Sequence, residues 1–296
     1  MTGTNTPPSQ SLIFDESLRE QLIARISRGE SPDTLLDELM TQGFDEDAAV
    51  SALTTLLQAR LTELKSSKTN PQITKVPDPL DREWPAILQR PERALKDQRI
   101  EIQLALTRPR IVVFRNFLST QECDRLIELS RQRIEASEVI DMQSGSTRPD
   151  EGRTSSGMNF QRAETPLIER IERRVAALLR WPYENGEALQ VLRYRVGEEY
   201  KPHFDYVDPT QPGAAPFLAR GGQRVATFLM YLNTPQDGGG TNFPDAGIEI
   251  AAHKGSALFF SYDRPHPDTL TRHGGMPVRQ GDKWVATQWL RESAHR

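Results

Sequence analysis

The pair His203 and Asp205, separated by Phe204, is the first feature of the sequence that could do chemistry. On an extended strand, side chains two residues apart face the same way, so the imidazole and the carboxylate would point together while Phe204 turns to the opposite layer. Two histidines and one carboxylate form the facial triad that holds divalent iron. Because His-x-Asp is frequent by chance, this motif needs a third ligand before it indicates a metal site.

Three later histidines could supply that ligand: His253, His266 and His273. Metal chemistry alone does not choose among them. A 2-oxo diacid that chelates the metal would also need a cation for its distal carboxylate, and 2-oxoglutarate is such a diacid. Lys283 follows His273 by ten residues, whereas the tenth residue after each of the other two histidines is not a cation. This spacing favours His273 as the third ligand.

The last apolar stretch, residues 283–290, indicates how a lysine could face a small ligand. Lys283, Val285, Thr287 and Trp289 share one face of a strand by period-two alternation. This face combines a charged group with an aromatic wall, as the interior of a barrel that binds a small diacid requires. A surface lysine is the alternative interpretation.

The composition limits the classes of function. The chain has 296 residues with 37 basic and 41 acidic side chains, so no basic excess predicts a nucleic-acid partner. No apolar run approaches the roughly 20 residues that span a bilayer, and the N-terminus lacks the pattern of a signal peptide, so we expect no membrane partner. Cys123 is the only cysteine, which favours a cytoplasmic location and metal ligands that are nitrogen or oxygen.

The chain divides by pattern into an N-terminal helical part and a larger part rich in strands. Residues 1–14 have a disordered composition, 15–65 predict a bundle of three helices, and 66–83 read as a linker. Residues 84–296 predict one catalytic domain that is mainly β with flanking helices. Its short strands indicate an all-β sandwich or barrel; they are predicted at 101–106, 110–115, 189–196, 200–206, 223–232, 248–251, 255–261, 268–273 and 283–290, with helices after Ser119 and at 165–180.

Seven stretches of the second region form an ordered set of motifs: RTSSG at 153–157, YRVGEEYKPHFD at 194–205, GQRVATFLMYL at 222–232, GGGTNFP at 238–244, KGSALFF at 254–260, RHGGMPV at 272–278 and GDKWVATQW at 281–289. Together they resemble the prolyl 4-hydroxylase family of iron(II)- and 2-oxoglutarate-dependent dioxygenases. The resemblance covers roughly residues 100–292, and its iron and 2-oxoglutarate core would span 187–292. Departures are Glu198-Glu199, where many relatives have Gly-Gln, and Met276, where cysteine is common.

The resemblance implies a double-stranded β-helix, the jelly-roll or cupin-like fold, next to the small helical domain. It implies that His203, Asp205 and His273 bind Fe(II), and that Lys283 pairs with 2-oxoglutarate, helped by Tyr194 and Thr241. O₂ would be the oxidant and L-ascorbate the reductant. Residues that match the peptide groove of the family are Arg153, Tyr200, Arg224 and Trp289, and the loops at 144–157 and 207–222 would close over the substrate.

Three functions are consistent with these residues. The first is hydroxylation of a peptidyl proline in a peptide or protein, coupled to decarboxylation of 2-oxoglutarate to succinate and CO₂. The second is hydroxylation of another substrate, such as a free amino acid or small molecule, at the same iron site. The third is a non-catalytic binding module, which predicts a missing ligand or lysine, whereas all four residues are present. The N-terminal bundle could recruit a partner protein, or its apolar stripes could serve only its own core.

Overall fold

The computed structural model describes residues 16–27, 30–67, 92–95, 97–140, 147–149 and 152–295. The chain divides into two compact units, residues 1–73 and 74–296. The predicted tail and most of the predicted linker lie outside the described residues, so the domain boundaries given above remain predictions. Among the described helices, none has the length and apolar character that crossing a bilayer demands.

The N-terminal unit is built from three helices whose starts follow the sequence signals. Ser31 caps the second helix by accepting a hydrogen bond from the Asp33 main-chain N–H, and Asp45 accepts one from Ala48 before the third. The helices are α1 Glu16–Ser27, α2 Pro32–Thr41 and α3 Glu46–Ser67. Their buried residues are Leu22, Leu35, Leu39, Ala49, Leu53 and Leu56.

The orientation of these helices differs from the predicted apolar stripes at two positions. Met40 lies four residues after Leu36, and Val50 lies three residues before Leu53, spacings that predict a shared buried face. Met40 and Val50 are nevertheless 42% and 43% exposed, and on α3 Ala49 is buried instead. Helical periodicity therefore located the helices but did not fix which face is buried.

The second unit contains the described strands, which pair antiparallel into two larger sheets and two short pairs. The strands are β1 Glu92–Ala94, β2 Arg99–Thr107, β3 Arg110–Arg115, β4 Glu135–Ala136, β5 Glu138–Ile140, β6 Thr147–Pro149, β7 Ser156–Asn159, β8 Gln190–Tyr194, β9 Tyr200–His203, β10 Arg224–Tyr231, β11 Asp237–Gly238, β12 Thr241–Phe243, β13 Ile248–Ile250, β14 Ala257–Ser261, β15 His273–Gly275, β16 Val278–Gln280 and β17 Lys283–Arg291. The main sheet has the order β1-β2-β3-β14-β10-β17-β8-β7-β4, and the minor sheet has the order β13-β12-β15-β9.

From β8 onward the chain alternates between the two larger sheets. β8, β10, β14 and β17 lie in the main sheet, while β9, β12, β13 and β15 lie in the minor sheet. This alternation of two antiparallel sheets is the double-stranded β-helix, or jelly roll. The predicted fold class, mainly β with flanking helices and a small helical N-terminal domain, is confirmed.

Helices cover the outer face of the main sheet. They are α4 Thr120–Arg131 and α5 Pro166–Leu179, while a short α6 Ala214–Leu218 lies in the loop after β9. A capping box opens α4, at the place where the helix after Ser119 was predicted: Ser119 accepts from the Glu122 N–H and Glu122 accepts from the Ser119 N–H. The apolar sides of α4 and α5 pack on outer-face residues of the sheet, among them Phe228 and Trp284.

The single cysteine lies in this outer layer. Cys123 is buried on α4, and its Sγ is 4.0 Å from the main-chain carbonyl oxygen of Tyr231. Burial raises the pKa of its thiol to about 12, so the thiol stays protonated at neutral pH.

One predicted strand is wrong. Residues 268–273 were expected to be extended, but Pro267–Thr269 forms a 3₁₀ turn and β15 begins only at His273. His266 caps this turn by accepting a hydrogen bond from the Asp268 N–H. This side-chain cap competes with strand pairing because it satisfies the main chain locally.

A buried ion-pair network ties α5 to α4 and to the segment before β2. The Arg174 guanidinium donates to both Glu122 carboxylate oxygens, at 2.9 and 2.8 Å, and to Asp97 at 2.7 Å. Burial alone would raise the pKa of Glu122, but the hydrogen bonds from Arg174 and Ser119 lower it to about 2. The carboxylate is therefore ionised and depends on its partner.

We expect Arg174→Met to lower the free energy of unfolding by about 3 kcal/mol, because it removes the cation that binds both oxygens of the buried Glu122 carboxylate and leaves only Arg170, at 3.2 Å, to pair with it. Arg125→Met is the matched control, since it removes an exposed ion pair with Glu128 on α4 and should cost no more than about 1 kcal/mol. Urea unfolding of both variants measures the difference. Equal losses would show that the buried network does not stabilise this layer.

Candidate active site

The two histidines of the proposed triad meet because two strands of the minor sheet pair in one register. His203 ends β9 and His273 begins β15, and the two residues are direct partners in this antiparallel pair. Their ring centroids are 4.5 Å apart. Residues 70 positions apart in the sequence are thus brought side by side by strand pairing.

Asp205 reaches the histidines by leaving the strand, which differs from the predicted extended geometry. β9 ends at His203, and the chain then turns toward the main sheet. There the Thr227 hydroxyl donates to Asp205 Oδ2 at 2.6 Å. Phe204 does not turn to the opposite layer; it lines the same cavity and stacks on Tyr206 with centroids 4.7 Å apart. The prediction that His203 and Asp205 point together holds, but for a different reason.

The geometry of the three side chains suits a single divalent metal ion. Nε2 of His203 lies 3.4 Å from Asp205 Oδ1, and Nε2 of His273 lies 3.5 Å from Asp205 Oδ2. One ligand atom from each residue falls within 4.8 Å of the others. Each Nδ1 contacts a carbonyl oxygen two residues earlier, that of Lys201 at 2.9 Å and that of Thr271 at 3.0 Å. These contacts place the proton on Nδ1, so both Nε2 lone pairs face the carboxylate.

The electrostatics of the triad favour the forms that bind metal. Burial lowers the pKa of His273 to about 4 against the attraction of Asp205, so its imidazole is neutral at pH 7. Burial opposes ionisation of Asp205, but at the acid pH where this group would titrate, the charge of the protonated His273 ring, a hydrogen bond from the protonated His203 ring and the nearby Arg224 guanidinium hold the pKa of this carboxyl well below its usual range. Neutral imidazoles and an ionised carboxylate are the donor set of a facial triad.

Lys283 is a buried cation in the same cavity. Only 2% of its surface is exposed, and within the described chain its ammonium group has no carboxylate partner. Its Nζ donates to the Gly240 carbonyl at 3.2 Å and lies 5.0 Å above the ring of Tyr194, its register partner in β8. Burial lowers the pKa of Lys283 to about 7. A bound carboxylate would satisfy this amine, which matches the predicted distal contact of 2-oxoglutarate.

Open space next to Lys283 depends on a glycine. Gly275 is the register partner of Thr241, and a Cβ at Gly275 would lie 3.5 Å from Lys283 Nζ. A longer side chain would fill the volume that the Lys283, Tyr194 and Thr241 side chains face. The donor set and the space fit a small dianion.

The predicted groove residues lie around the outer part of the cavity. Arg224 stacks over Trp289, with its guanidinium carbon 3.9 Å from the ring centroid. Arg153 lies over Tyr200 at 5.1 Å and donates to the Gln190 side chain at 2.8 Å. Tyr200 also stacks on His203, with centroids 3.7 Å apart. An aromatic and cationic wall therefore extends from the triad outward.

All ten predicted site residues line a single cavity of about 770 Å³. The residues that sequence reasoning missed hold the predicted ones in place. Glu187 accepts two hydrogen bonds from Arg224 and one from Arg291, and Thr227 supports Asp205. Arg291 continues the alternation that begins at Lys283, so this period could have revealed it. The ten predicted residues are Arg153, Tyr194, Tyr200, His203, Asp205, Arg224, Thr241, His273, Lys283 and Trp289.

Comparison with known proteins agrees with this geometry. The model of the 2OG-Fe(II) oxygenase superfamily matches residues 189–291. Prolyl 4-hydroxylase 1 of Arabidopsis thaliana is 42% identical over 203 residues, which cover 63% of this chain and 70% of that protein. The chain belongs to the prolyl 4-hydroxylase family. It is thus an oxidoreductase, a 2-oxoglutarate-dependent dioxygenase.

A further curated protein and a solved structure are also similar to this chain. Probable prolyl 4-hydroxylase 4 of Arabidopsis thaliana is 37% identical over 213 residues, covering 64% of this chain and 70% of that protein. The structure of a viral collagen prolyl hydroxylase from Paramecium bursaria Chlorella virus-1, in complex with 2-oxoglutarate, is 29% identical. It covers 61% of this chain and 95% of the viral one, with a TM-score of 0.48.

His273→Ala is expected to weaken Fe(II) binding by more than about 100-fold, because even the loss of an outer partner of a ligand costs 10–100-fold. Anaerobic titration followed by metal analysis after desalting measures this change. His253→Ala removes an exposed histidine and should bind metal like the unaltered protein. Wild-type Fe(II) affinity in the His273 variant would show that another residue is the third metal ligand.

Proposed function

We propose that this enzyme hydroxylates a peptidyl proline at its 4-position, using Fe(II), 2-oxoglutarate and O₂. His203, Asp205 and His273 would hold the iron, and Lys283 would pair with the distal carboxylate of 2-oxoglutarate. The observation that carries the proposal is the convergence on one cavity of the triad and a buried lysine that has no carboxylate partner among the described residues. Membership of the prolyl 4-hydroxylase family supports the choice of proline.

The protein side chains would do the binding and the orientation. Bound iron would supply the reaction with O₂ that decarboxylates 2-oxoglutarate to succinate and CO₂ and inserts oxygen into the substrate. Three protein ligands leave open positions for a chelating 2-oxo acid and for O₂. Tyr194 and Thr241 would help Lys283 to orient the diacid, since both line the cavity on its side.

The outer cavity supports a peptide substrate. Trp289 is half-buried and lines the cavity. Arg224, stacked on the same ring, and Arg153 with Tyr200 would form the walls of a groove along an extended chain.

The enzyme would also need a reductant, a cellular location and a means of recruiting its substrate. L-Ascorbate would act as the reductant that keeps the iron divalent, and a cytoplasmic location fits a chain with one buried thiol. The N-terminal unit would recruit a partner or substrate, because it is compact by itself and contains none of the proposed site residues. The loop at 207–222 would close over the substrate; the other loop predicted to do so, 144–157, lies partly outside the described residues.

Incubation of the full chain with Fe(II), 2-oxoglutarate, ascorbate and proline-containing peptides is expected to add one oxygen atom at a proline. Tandem mass spectrometry locates the product, and comparison with standards identifies 4-hydroxyproline. The same peptides with alanine in place of proline are the control and should remain unmodified. Succinate formation without modification of any peptide would favour a small-molecule substrate at the same iron site.

The affinity for 2-oxoglutarate should fall as pH rises above about 7. The lowered pKa of Lys283 means that its amine is increasingly neutral in the free cavity above this pH, so binding of a dianion must take up a proton. The loss approaches about tenfold per pH unit. Calorimetric titration of the Mn(II)-loaded protein without O₂ measures the slope.

The matched variant for this measurement is Lys283→Met, which should bind 2-oxoglutarate weakly and without this pH dependence. Proton uptake is a second, independent measurement: the binding heat is measured in buffers of different ionisation enthalpy, and its dependence on that enthalpy gives the number of protons taken up. A flat affinity between pH 7 and about 8.5 in the unaltered protein would contradict the role of the Lys283 amine, because its neutral fraction rises across this range.

A further inference from the structure

Tyr231 is a fully buried tyrosine at the end of β10 whose hydroxyl reaches across to the minor sheet. It is 0% exposed, and its hydroxyl donates to Thr241 Oγ1 on β12 at 2.9 Å. Thr241 lines the cavity, whereas Tyr231 stands behind it. Burial raises the pKa of Tyr231, which keeps the phenol protonated and able to donate.

A second tyrosine–threonine pair in the same molecule shows what such a pair does. Thr227 donates its single hydroxyl proton to Asp205 Oδ2 at 2.6 Å. The hydroxyl of Tyr262 lies 3.2 Å from Thr227 Oγ1. Because the Thr227 proton is already committed to the carboxylate, Tyr262 must be the donor. Hydrogen bonds therefore run in one direction, from tyrosine to threonine to carboxylate.

The hydrogen bond between Tyr231 and Thr241 also runs from tyrosine to threonine, but here the threonine lines the cavity. Thr241 Oγ1 accepts from Tyr231, and within the described chain its own proton has no acceptor. The carbonyl of Gly240, the residue before Thr241, accepts a hydrogen bond from the Lys283 ammonium group. The Thr241 hydroxyl and the Lys283 ammonium group therefore lie at the same end of the cavity. Gly275, opposite Thr241 in the sheet, leaves the space beside them open. A hydroxyl and an ammonium that share open space form a site for a carboxylate.

We propose that Tyr231 is a positioning residue for the co-substrate. By donating a hydrogen bond to Thr241 Oγ1, the Tyr231 phenol fixes the rotation of the threonine hydroxyl. The single proton of this hydroxyl then points at the carboxylate that Lys283 binds. This inference rests on the proposed binding of 2-oxoglutarate and adds a residue that does not touch it. Without the phenol, the Thr241 hydroxyl can rotate and offer the ligand a lone pair as readily as a proton.

The test is a double-mutant cycle on the Mn(II)-loaded full chain without O₂, with the dissociation constant of 2-oxoglutarate as the readout. Tyr231→Phe should weaken binding by about threefold to tenfold, the worth of one neutral hydrogen bond. Thr241→Val should weaken it by about tenfold or more, since it removes a charge-assisted bond. If the tyrosine acts through the threonine, the double variant should match Thr241→Val alone.

Two controls separate positioning from a general structural effect. Thr241→Ser keeps the hydroxyl and should retain both near-normal binding and sensitivity to Tyr231→Phe. Tyr262→Phe removes the equivalent phenol on the metal side, so it should weaken metal binding but leave 2-oxoglutarate affinity unchanged at saturating Mn(II). In turnover assays Tyr231→Phe should raise KM for 2-oxoglutarate while kcat at saturation is retained.

Unchanged 2-oxoglutarate affinity in Tyr231→Phe, or additive losses in the double variant, would overturn the role of Tyr231 and leave the proposed function intact. Failure of the proposed function itself would give a different result. If the unaltered Mn(II)-loaded protein does not bind 2-oxoglutarate, the proposed function falls, and this inference falls with it.

Discussion

Both histidine rings are fixed by a contact that spans only two residues. Nδ1 of His203 lies against the Lys201 carbonyl, and Nδ1 of His273 lies against the Thr271 carbonyl. This repeated contact sets the tautomer and the rotation of each ring, and the direct pairing of β9 with β15 sets their separation. The position of Asp205, the burial of Lys283 and the shape of the cavity have chemical meaning only because two Nε2 lone pairs are aimed at one point.

The two sheets contribute different parts of the site. The minor sheet carries both imidazoles and Thr241, while the main sheet carries Lys283 and the threonine that supports Asp205. The main sheet would therefore take part in metal binding only by positioning Asp205 through Thr227, whereas the diacid would meet side chains of both sheets. The apolar faces of α4 and α5 cover the outer face of the main sheet behind the cavity.

Sequence patterns predicted the parts of this site that follow strand periodicity. The alternation from Lys283 to Trp289 survives unchanged because β17 is regular and paired on both sides. Asp205 could not be placed in the same way, since its position depends on a hydroxyl of a different strand. Tyr231 and Glu187 were missed because they act through other side chains. Contacts of this kind follow no regular residue spacing that the sequence would reveal. The turn at Pro267 replaced a predicted strand because a local histidine cap satisfied its main chain.

The buried cysteine has a consequence for how the enzyme can be studied. A thiol held protonated beneath α4 reacts slowly with oxidants and alkylating reagents, which attack the thiolate. The chain has no other cysteine. Reactivation of the folded protein by added reductants would thus report on the oxidation state of its iron and not on repair of sulfur. Thiol-directed labels could in turn serve as a probe of unfolding, since only the opened chain exposes their target.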